Sequence, residues 1–190
     1  MRADARAKRA ALQTAGAELF AEQGTDVPLS AVAVRAGVGV GTLYRHFPTR
    51  GELYLGVMEA VVEKVEAAAA ELETAWDQDP RATWQAAAHE LGRLRIGALV
   101  EGADPQRKAA FEEAGWDRVL QLRDRLFDRL GALLRRGKEA GLVREDLSPA
   151  QFYFGLAVVT RPLPETVTQT MPVDLSWLVS AYFHGLRPVS

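Results

Sequence analysis

Residues 32–51, VAVRAGVGVGTLYRHFPTRG, contain parts of two short segments with helical spacing of apolar residues and a glycine-rich joint between them. The first segment covers about 28–36 and begins with a proline, which suits the first turn of a helix. The second covers about 40–46 and ends before Pro48, because a proline disfavours helical geometry at the residue that precedes it. Glycine in the joint, residues 37–39, lets the backbone turn sharply. The spacing predicts a helix-turn-helix.

The second of these helices has an inner and an outer face. Leu43 and Phe47 lie four residues apart and are expected to face the interior, while Val38 fills the angle between the two helices. The outer face then carries short, hydroxylated, aromatic and cationic groups, which are types that reach phosphates and base edges. These outer positions are Val40, Gly41, Thr42, Tyr44, Arg45 and His46. Arg45 is the candidate for a base contact, since an arginine can bridge O6 and N7 of guanine.

Charge is distributed unevenly along the chain. The 190 residues carry a formal net charge of −2, yet residues 1–50 hold seven basic and four acidic side chains. A basic head on an acidic body favours a polyanionic partner for the head alone, with chance asymmetry as the alternative. Arg6, Lys8 and Arg9 either reach the DNA backbone or a minor groove, or form a solvated, frayed terminus.

Composition excludes several kinds of site. The chain has no cysteine, which excludes disulfides, cysteine-ligated zinc and iron–sulfur clusters, and its three histidines are far apart in sequence. It has no run of about 18 apolar residues that could span a membrane. The first residues lack the apolar core of a secretory signal. We therefore expect a cytoplasmic protein with no membrane contact, no metal and no cofactor.

Helical periodicity continues through the rest of the chain, and no stretch alternates with the period of two that is typical of strands. The pattern predicts an all-α fold of about nine helices. Besides the two described above, helices are predicted at about 2–23, 50–76, 80–100, a short one ending near 114, 116–140, 149–160 and 173–186.

The motif in residues 33–50 is specific to one family. It reads Ala33-x-x-Ala36-Gly37-Val38-x-x-x-Thr42-Leu43-Tyr44-x-His46-Phe47-x-x-Arg50, and it resembles the N-terminal signature of the tetracycline-repressor (TetR) family of transcriptional regulators. The long helices on either side also match, so the resemblance covers roughly residues 8–60. It implies a helix-turn-helix DNA-binding domain at 1–50 and a helical effector-binding and dimerisation domain at 51–190.

The resemblance also implies a function. The protein would be a ligand-responsive regulator, by default a repressor, that binds a near-palindromic operator in double-stranded DNA as a homodimer. Two-fold symmetry would place the recognition helices of the two subunits about 34–36 Å apart, which is one turn of DNA. Thr42, Tyr44 and His46 would contact phosphates or groove edges, and Arg50 would clamp a phosphate at the start of the fourth helix.

Other readings of these residues remain open. Tyr44 could instead be a packed aromatic, His46 a surface residue without a contact, and Arg50 an ion-pair partner of Glu18 or Glu22.

Further contacts with DNA are expected around the recognition helix. Ser30 and Arg35, in the preceding helix, are weaker phosphate candidates. Residues 39–41 bear little side chain, which favours a close approach of the backbone to DNA or a contact of Val40 with a thymine methyl group.

Two segments of the body are expected to form a dimer interface. Residues 149–160 are apolar nearly all round, so their helix must be buried on more than one side. The helix predicted at 173–186 has a similarly broad apolar face. A two-fold four-helix interface fits both the pattern and the family, and a central core helix of a monomer is the alternative. The expected interface residues are Phe152, Leu156, Val159, Leu175, Leu178, Val179, Tyr182 and Phe183.

The family also implies a small-molecule effector bound inside the body. Its lining would come from large or polar residues on otherwise apolar faces, and each of these could equally be core or surface. The candidates are Met58, Trp84, His89, Arg93, Phe111, Trp116, Leu120, Arg123 and Phe152. His89 and Arg93, four residues apart, could bind an anionic ligand, or could pair with Glu90 or Asp117.

Other classes of protein fit less well. The glycines at 37–41 lack the spacing and the preceding strand of a dinucleotide-binding loop, and residues 89–93 lack the second histidine of a helical zinc motif. We therefore expect no enzyme. A helical adaptor that binds another protein is an alternative that leaves the basic head unexplained, and an activator of the same fold is another.

Overall fold

The computed structural model describes residues 2–23, 27–94, 112, 115–161, 163, 165–171 and 174–188. These residues form helices and no strand, which confirms the all-α prediction, and none of their helices is long and apolar enough to cross a membrane. The predicted short helix ending near 114 lies outside the described residues. The helices are α1 (Arg2–Gln23), α2 (Leu29–Arg35), α3 (Val40–His46), α4 (Arg50–Glu73), α5 (Pro80–Arg93), α6 (Trp116–Glu139), α7 (Pro149–Val159), α8 (Glu165–Thr170) and α9 (Trp177–Gly185).

Side-chain caps set the beginnings of three helices. Thr49 accepts a hydrogen bond from the first turn of α4, and Asp79 does the same for α5. Ser148 and Gln151 form a reciprocal capping box at α7. Each cap satisfies backbone N–H groups that have no partner within the helix, so these boundaries follow from local sequence.

Two features near the C-terminus differ from the prediction. Helix α8 was not expected, because its sequence ETVTQT is rich in β-branched residues that form helices poorly. Helix α9 begins at Trp177 rather than near residue 173. The Asp174 carboxylate accepts hydrogen bonds from the backbone N–H of Ser176 at 2.8 Å and from its hydroxyl at 3.0 Å, which holds this segment in a turn.

Helix α4 contributes to two hydrophobic clusters. The head cluster consists of Leu12, Ala15, Leu19, Phe20, Val27, Val32, Ala33, Leu43, Phe47, Leu53, Tyr54 and Val57. The body cluster takes Leu55, Val61, Val62 and Val65 from α4 and joins them to apolar residues of α5, α6, α7 and α9. Because one helix serves both clusters, the head and the body are not separated by a linker. The domain boundary at residue 50 stays a prediction.

The centre of the body contains an aromatic cluster formed by Trp76, Trp84, Phe152, Tyr182 and Phe183. The rings of Trp84 and Phe183 are in closest contact, with centroids 4.8 Å apart. The Tyr182 hydroxyl donates a hydrogen bond to the Phe152 carbonyl oxygen at 2.9 Å, and burial raises the pKa of Tyr182 to about 12. These contacts hold α5, α7 and α9 together.

Ion pairs join α4 to α6 along the outside of the body. Arg118 pairs with Glu52 at 2.7 Å, in the first turn of α4, and Arg125 pairs with Glu66 at 2.7 Å. The hydrogen bond from Arg125 lowers the pKa of the Glu66 carboxyl. These pairs are partly exposed and so add little stability, and the faces of the two helices that meet are set by the apolar residues of the body cluster.

Helix α3 rests on α4 at a glycine. A Cβ atom built at Gly56 would overlap the Phe47 ring, so only glycine lets the ring lie directly on the helix backbone. Phe47 is fully buried at this contact. Gly56 therefore sets the distance between the C-terminal end of α3 and helix α4.

We expect Gly56→Ala to lower the free energy of unfolding by about 1–3 kcal/mol, the usual cost of overpacking a core. Urea unfolding at a fixed protein concentration measures this change. Gly185→Ala is the matched control, because a Cβ at that helical position meets nothing within 4 Å. If both variants were equally stable, Phe47 would not depend on a glycine at residue 56.

Candidate nucleic-acid interface

The turn between α2 and α3 has the geometry that the glycine spacing predicts. Gly37 has a φ of +67°, in the left-handed region that glycine adopts without strain. The backbone N–H of Gly37 donates to the Val34 oxygen at 3.0 Å, and that of Val38 donates to the Ala33 oxygen at 3.0 Å. This double hydrogen bond ends α2. The Val38 side chain packs against the head cluster, in the angle between the two helices.

Helix α3 has the two faces that were expected. Leu43 and Phe47 are fully buried, whereas Val40 is 42% exposed and Tyr44 is 48% exposed. Tyr44 is therefore not a packed core aromatic. The fold supplies no burial that would explain apolar side chains on the outer face, which leaves that face open to a partner outside the chain.

Arg45 lies along the outer face of α3. Its Nε donates to the Gly41 oxygen at 3.2 Å, and its Nη2 donates to the Thr42 hydroxyl oxygen at 3.0 Å. Within the described part of the chain, no carboxylate pairs with Arg45. Its positive charge is therefore not neutralised by an ion pair, and the side chain is exposed on the same face as Tyr44.

Arg50 lies at the start of α4, beside the head. Its Nη1 donates to the Val27 carbonyl oxygen at 2.9 Å. Glu18 and Glu22, the alternative partners considered for Arg50, are both ion-paired with Arg35, at 3.4 and 2.9 Å.

Arg35, a predicted phosphate contact, thus already has two acidic partners. The hydrogen bond to Glu22 raises the pKa of the Arg35 guanidinium. A phosphate would therefore have to compete with two carboxylates for Arg35. Ser30 is exposed on α2, and His46 is partly buried at the end of α3.

The front of α3 is open because it carries glycine. A Cβ atom at Gly39 or Gly41 would meet nothing within 4 Å. Packing inside the chain therefore does not require glycine at either position. The absence of side chains leaves the helix backbone accessible to a close approach from outside.

The residues considered for an effector site fall into different environments. Trp84 and Phe152 lie inside the aromatic cluster, and Met58 is half-buried where the two hydrophobic clusters meet. His89 is exposed, and Arg93 is exposed and pairs with Glu90 at 3.5 Å. The structure thus brings Trp84 and Phe152 together and leaves His89 and Arg93 at the surface.

The remaining effector candidates lie at the surface of α6 or outside the described residues. Trp116 is 48% exposed and Leu120 is 39% exposed. Arg123 is exposed and pairs with its neighbour Asp124 at 2.6 Å. Phe111 lies outside the described residues. In the described ranges, no group of three acidic or histidine side chains could hold a metal ion.

Helices α7 and α9 present a different surface from the one expected. Phe152, Leu156 and Phe183 are buried in the core of the chain itself, so they are not available to a second subunit. The other expected interface residues, Val159, Leu175, Leu178, Val179 and Tyr182, are partly buried. The strongly exposed apolar side chains are Phe154 at 53%, Val158 at 74% and Trp177 at 60%.

The sequence could not distinguish these two faces of α7. The segment is apolar on all sides, so its periodicity does not mark an outer face. Gly155 is the only local signal: a Cβ there would overlap the Tyr182 ring, so α9 packs at this position. Phe154 and Val158, four residues apart on α7, are the exposed pair.

Comparisons with known proteins find a similar sequence for the head and a similar fold for the whole chain. Residues 12–57 match a sequence model described as bacterial regulatory proteins, tetR family. A TetR transcription regulatory protein from Mycobacterium vanbaalenii is 28% identical with a TM-score of 0.62, and the match covers 98% of this chain and 99% of that one. A TetR transcriptional regulator from Streptomyces coelicolor is 24% identical with a TM-score of 0.64, covering 96% and 99%.

A third similar structure was solved with a ligand bound. The transcriptional regulator FadR from Bacillus subtilis in complex with stearoyl-CoA is 18% identical with a TM-score of 0.57, and the match covers 93% of this chain and 96% of that one. At this identity the likeness is one of fold. No curated protein sequence matches the chain.

We expect Gly41→Ala to leave the free energy of unfolding unchanged or raise it by up to about 1 kcal/mol, because alanine favours helix and has room at this position. The same variant should bind duplex DNA about tenfold more weakly, since the methyl group occupies the space for a close approach. Urea unfolding and fluorescence anisotropy measure the two effects. Gly185→Ala, in the body, should leave DNA affinity unchanged. Undiminished DNA binding by Gly41→Ala would contradict the close approach.

Proposed function

We propose that the chain, whose residues 12–57 match the tetR family of bacterial regulatory proteins, is a transcriptional repressor of the TetR family that acts in the cytoplasm. It binds a near-palindromic operator as a homodimer, and a small-molecule effector releases it from DNA. An activator of the same fold would use the same DNA-binding surface, and the position of the operator relative to the promoter distinguishes the two roles.

The observation that supports DNA binding is the outer face of α3. Tyr44 and Arg45 are exposed there beside an open glycine backbone, opposite the fully buried Leu43 and Phe47. Arg45 pairs with no carboxylate of the described residues, and an arginine in this position is suited to bridge a guanine in the major groove. Arg50 is the first residue of α4, and a helix N-terminus favours an anion, so Arg50 would hold a phosphate there and fix the orientation of α3.

The second subunit covers the exposed apolar side chains of α7 and α9. Phe154, Val158 and Trp177 lie on two helices that pack on each other through Gly155 and Tyr182. A two-fold axis beside this surface would form a four-helix interface and bury all three side chains twice. We therefore assign the dimer core to these residues in place of Phe152, Leu156 and Phe183.

Release from DNA depends on α4, because this helix carries Arg50 at one end and contributes to the body cluster along its length. An effector that binds one position of α4 more tightly than another shifts the distance between the two heads of the dimer. The ion pair between Arg118 and Glu52 attaches the first turn of α4 to α6. A displacement of α6 would therefore reach the head directly.

The chemistry of the body interior favours an apolar effector with a hydrogen-bond acceptor. Among the described residues, the buried polar side chains are Thr83 and Thr160, and each donates to a backbone carbonyl of its own helix turn. The indole N–H of Trp84 is buried with no acceptor in the described part of the chain. It is thus a donor available to a ligand. The related fold of FadR from Bacillus subtilis, in complex with stearoyl-CoA, supports a ligand with a long apolar part.

We expect Arg45→Ala and Arg50→Ala to affect DNA binding in different ways. Arg45→Ala should cost about 1–3 kcal/mol on the preferred operator and relax the preference at one base pair. Arg50→Ala should weaken binding to all sequences alike and reduce the slope of log affinity against log salt by about one. A duplex selected by the wild-type protein from a random library, titrated at several salt concentrations, measures both.

Two results would contradict this division between the arginines. If both variants lost the same affinity on every sequence, Arg45 would not contact a base. If the wild-type protein enriched no duplex from the library, the proposal that it binds DNA would be wrong. Arg123→Ala is the control for loss of a positive charge, since this exposed residue lies in the body and pairs with its neighbour Asp124.

The dimer surface has its own test. Val158→Glu should convert the dimer to a monomer, because two carboxylates would be buried near the two-fold axis. Val34→Glu is a matched control, since Val158 and Val34 are exposed to similar extents, 74% and 77%, and Val34 lies in the head. Sedimentation equilibrium gives the mass of each variant. A Val158→Glu protein that stays dimeric would place the interface elsewhere.

A further inference from the structure

The side chain of Arg9 makes contacts beyond its own helix α1. Lys8, its neighbour, pairs with Asp4 at 2.8 Å on the exposed side of α1, and Arg6 is exposed. The side chain of Arg9 is 35% exposed, against 44% for that of Lys8. It contacts the C-terminal end of α3, the Phe47 ring that follows α3, and α4.

Three contacts of one guanidinium meet at the C-terminal end of α3. The guanidinium carbon of Arg9 lies 4.4 Å from the centroid of the Phe47 ring. Its Nη1 donates to the His46 carbonyl oxygen at 3.3 Å, and its Nη2 lies 3.4 Å from a carboxylate oxygen of Glu59 on α4. One side chain of α1 thus touches the last residue of α3, the residue that follows it, and α4.

Two of the three contacts use groups at the C-terminal end of α3, the His46 carbonyl oxygen and the Phe47 ring. The last carbonyl groups of a helix have no partner within the helix, and they carry the negative end of its dipole, so a cation there is favourable. The face of an aromatic ring likewise attracts a guanidinium. Since Gly56 supports the edge of the same Phe47 ring, the ring is held both by α4 and by Arg9.

A second side chain of α1 attaches α1 to α4 one turn further on. The Gln13 side-chain nitrogen donates to the Gly56 carbonyl oxygen at 2.8 Å. Gln13 follows Arg9 by four residues, so both point to the same side of α1. The contact therefore keeps α1 in place against α4 at the position where Phe47 rests.

We infer that Arg9 is a positioning residue that holds the recognition helix α3 on α4 and transmits movement of α4 to α3. It acts through His46, Phe47 and Glu59 and does not contact a phosphate. This inference rests on the proposed DNA-binding function, because its consequence is the angle at which α3 enters the groove. The inference also explains how movement of α4 would reach α3 when the protein is released from DNA. Glu52 links α4 to the body through Arg118, and Glu59, two turns later, links α4 to α3 through Arg9.

Glu59→Gln tests the inference because two effects predict opposite results. Removing a negative charge from the head strengthens the long-range attraction to DNA. Loss of the Arg9 attachment weakens operator binding, and we expect this effect to dominate with a two- to fivefold loss, about the size of a half-exposed ion pair. Glu63→Gln is the matched control one turn further along α4, where the side chain is exposed. That variant should bind as tightly as the wild type or slightly more tightly.

Variants of Arg9 separate its shape from its charge. Arg9→Lys keeps the charge but loses the planar group that spans three partners, so operator affinity should fall about fivefold with an unchanged salt slope. If Arg9 instead contacted a phosphate directly, Arg9→Lys should bind the operator nearly as well as the wild type. Arg9→Ala should then reduce the slope of log affinity against log salt by about one. Lys8→Ala is the control for removing a neighbouring charge. A tolerated Arg9→Lys substitution together with a reduced slope for Arg9→Ala would overturn the inference.

Hydrogen exchange of the full-length protein without DNA gives a measurement that does not depend on the proposed function. Arg9→Ala and Glu59→Gln should speed exchange of the backbone amides of residues 43–47, while the amides of α5 and α6 keep their wild-type rates. Unchanged protection of residues 43–47 in both variants would overturn the inference. If the wild-type protein bound no duplex, the proposed DNA-binding function would be refuted. The exchange measurement would still decide whether Arg9 holds α3 in place.

Discussion

The contact between Phe47 and Gly56 sets the position of the recognition helix. A helix of seven residues is too short to be stable alone in water, so its orientation comes from the residues that bury it. Phe47 lies at its C-terminal end, fully buried, with its ring directly on the backbone of α4. Any side chain larger than hydrogen at residue 56 would move the recognition helix away from α4 and change the surface that it presents.

Helix α4 connects the head of the molecule rigidly to its body. It has 24 residues and is thus about 36 Å long, and it is shared by the head and body clusters. Packed cores resist continuous deformation, so a displacement of the body end is carried along the helix and not absorbed in a linker. The ion pairs of Glu52 and Glu59 lie on either side of Phe47's support at Gly56. They connect this part of α4 to the body and to the recognition helix.

Much of the fold could be predicted because its signals are local. The ends of α1 and α3 and the starts of α4, α5 and α7 lie where caps, glycines and prolines place them. The inward direction of Leu43 and Phe47 follows from their four-residue spacing. Helix α8 was missed because threonine and valine give little helical signal. Helix α9 starts late because Asp174 bonds to Ser176, which is a choice between two local hydrogen-bond patterns that composition does not decide.

The sequence by itself determined the helix-turn-helix, the all-α class and the outer face of α3, because each depends on residues within one or two helical turns. Tertiary structure decided which side of α7 is exposed, since a helix that is apolar all round has no preferred face until α9 packs against Gly155. It also decided the partners of the cations. Arg9 and Arg35 meet carboxylates 50 and 13 residues away in sequence, and only the packing of α1 against α2 and α4 brings these charges within reach of each other.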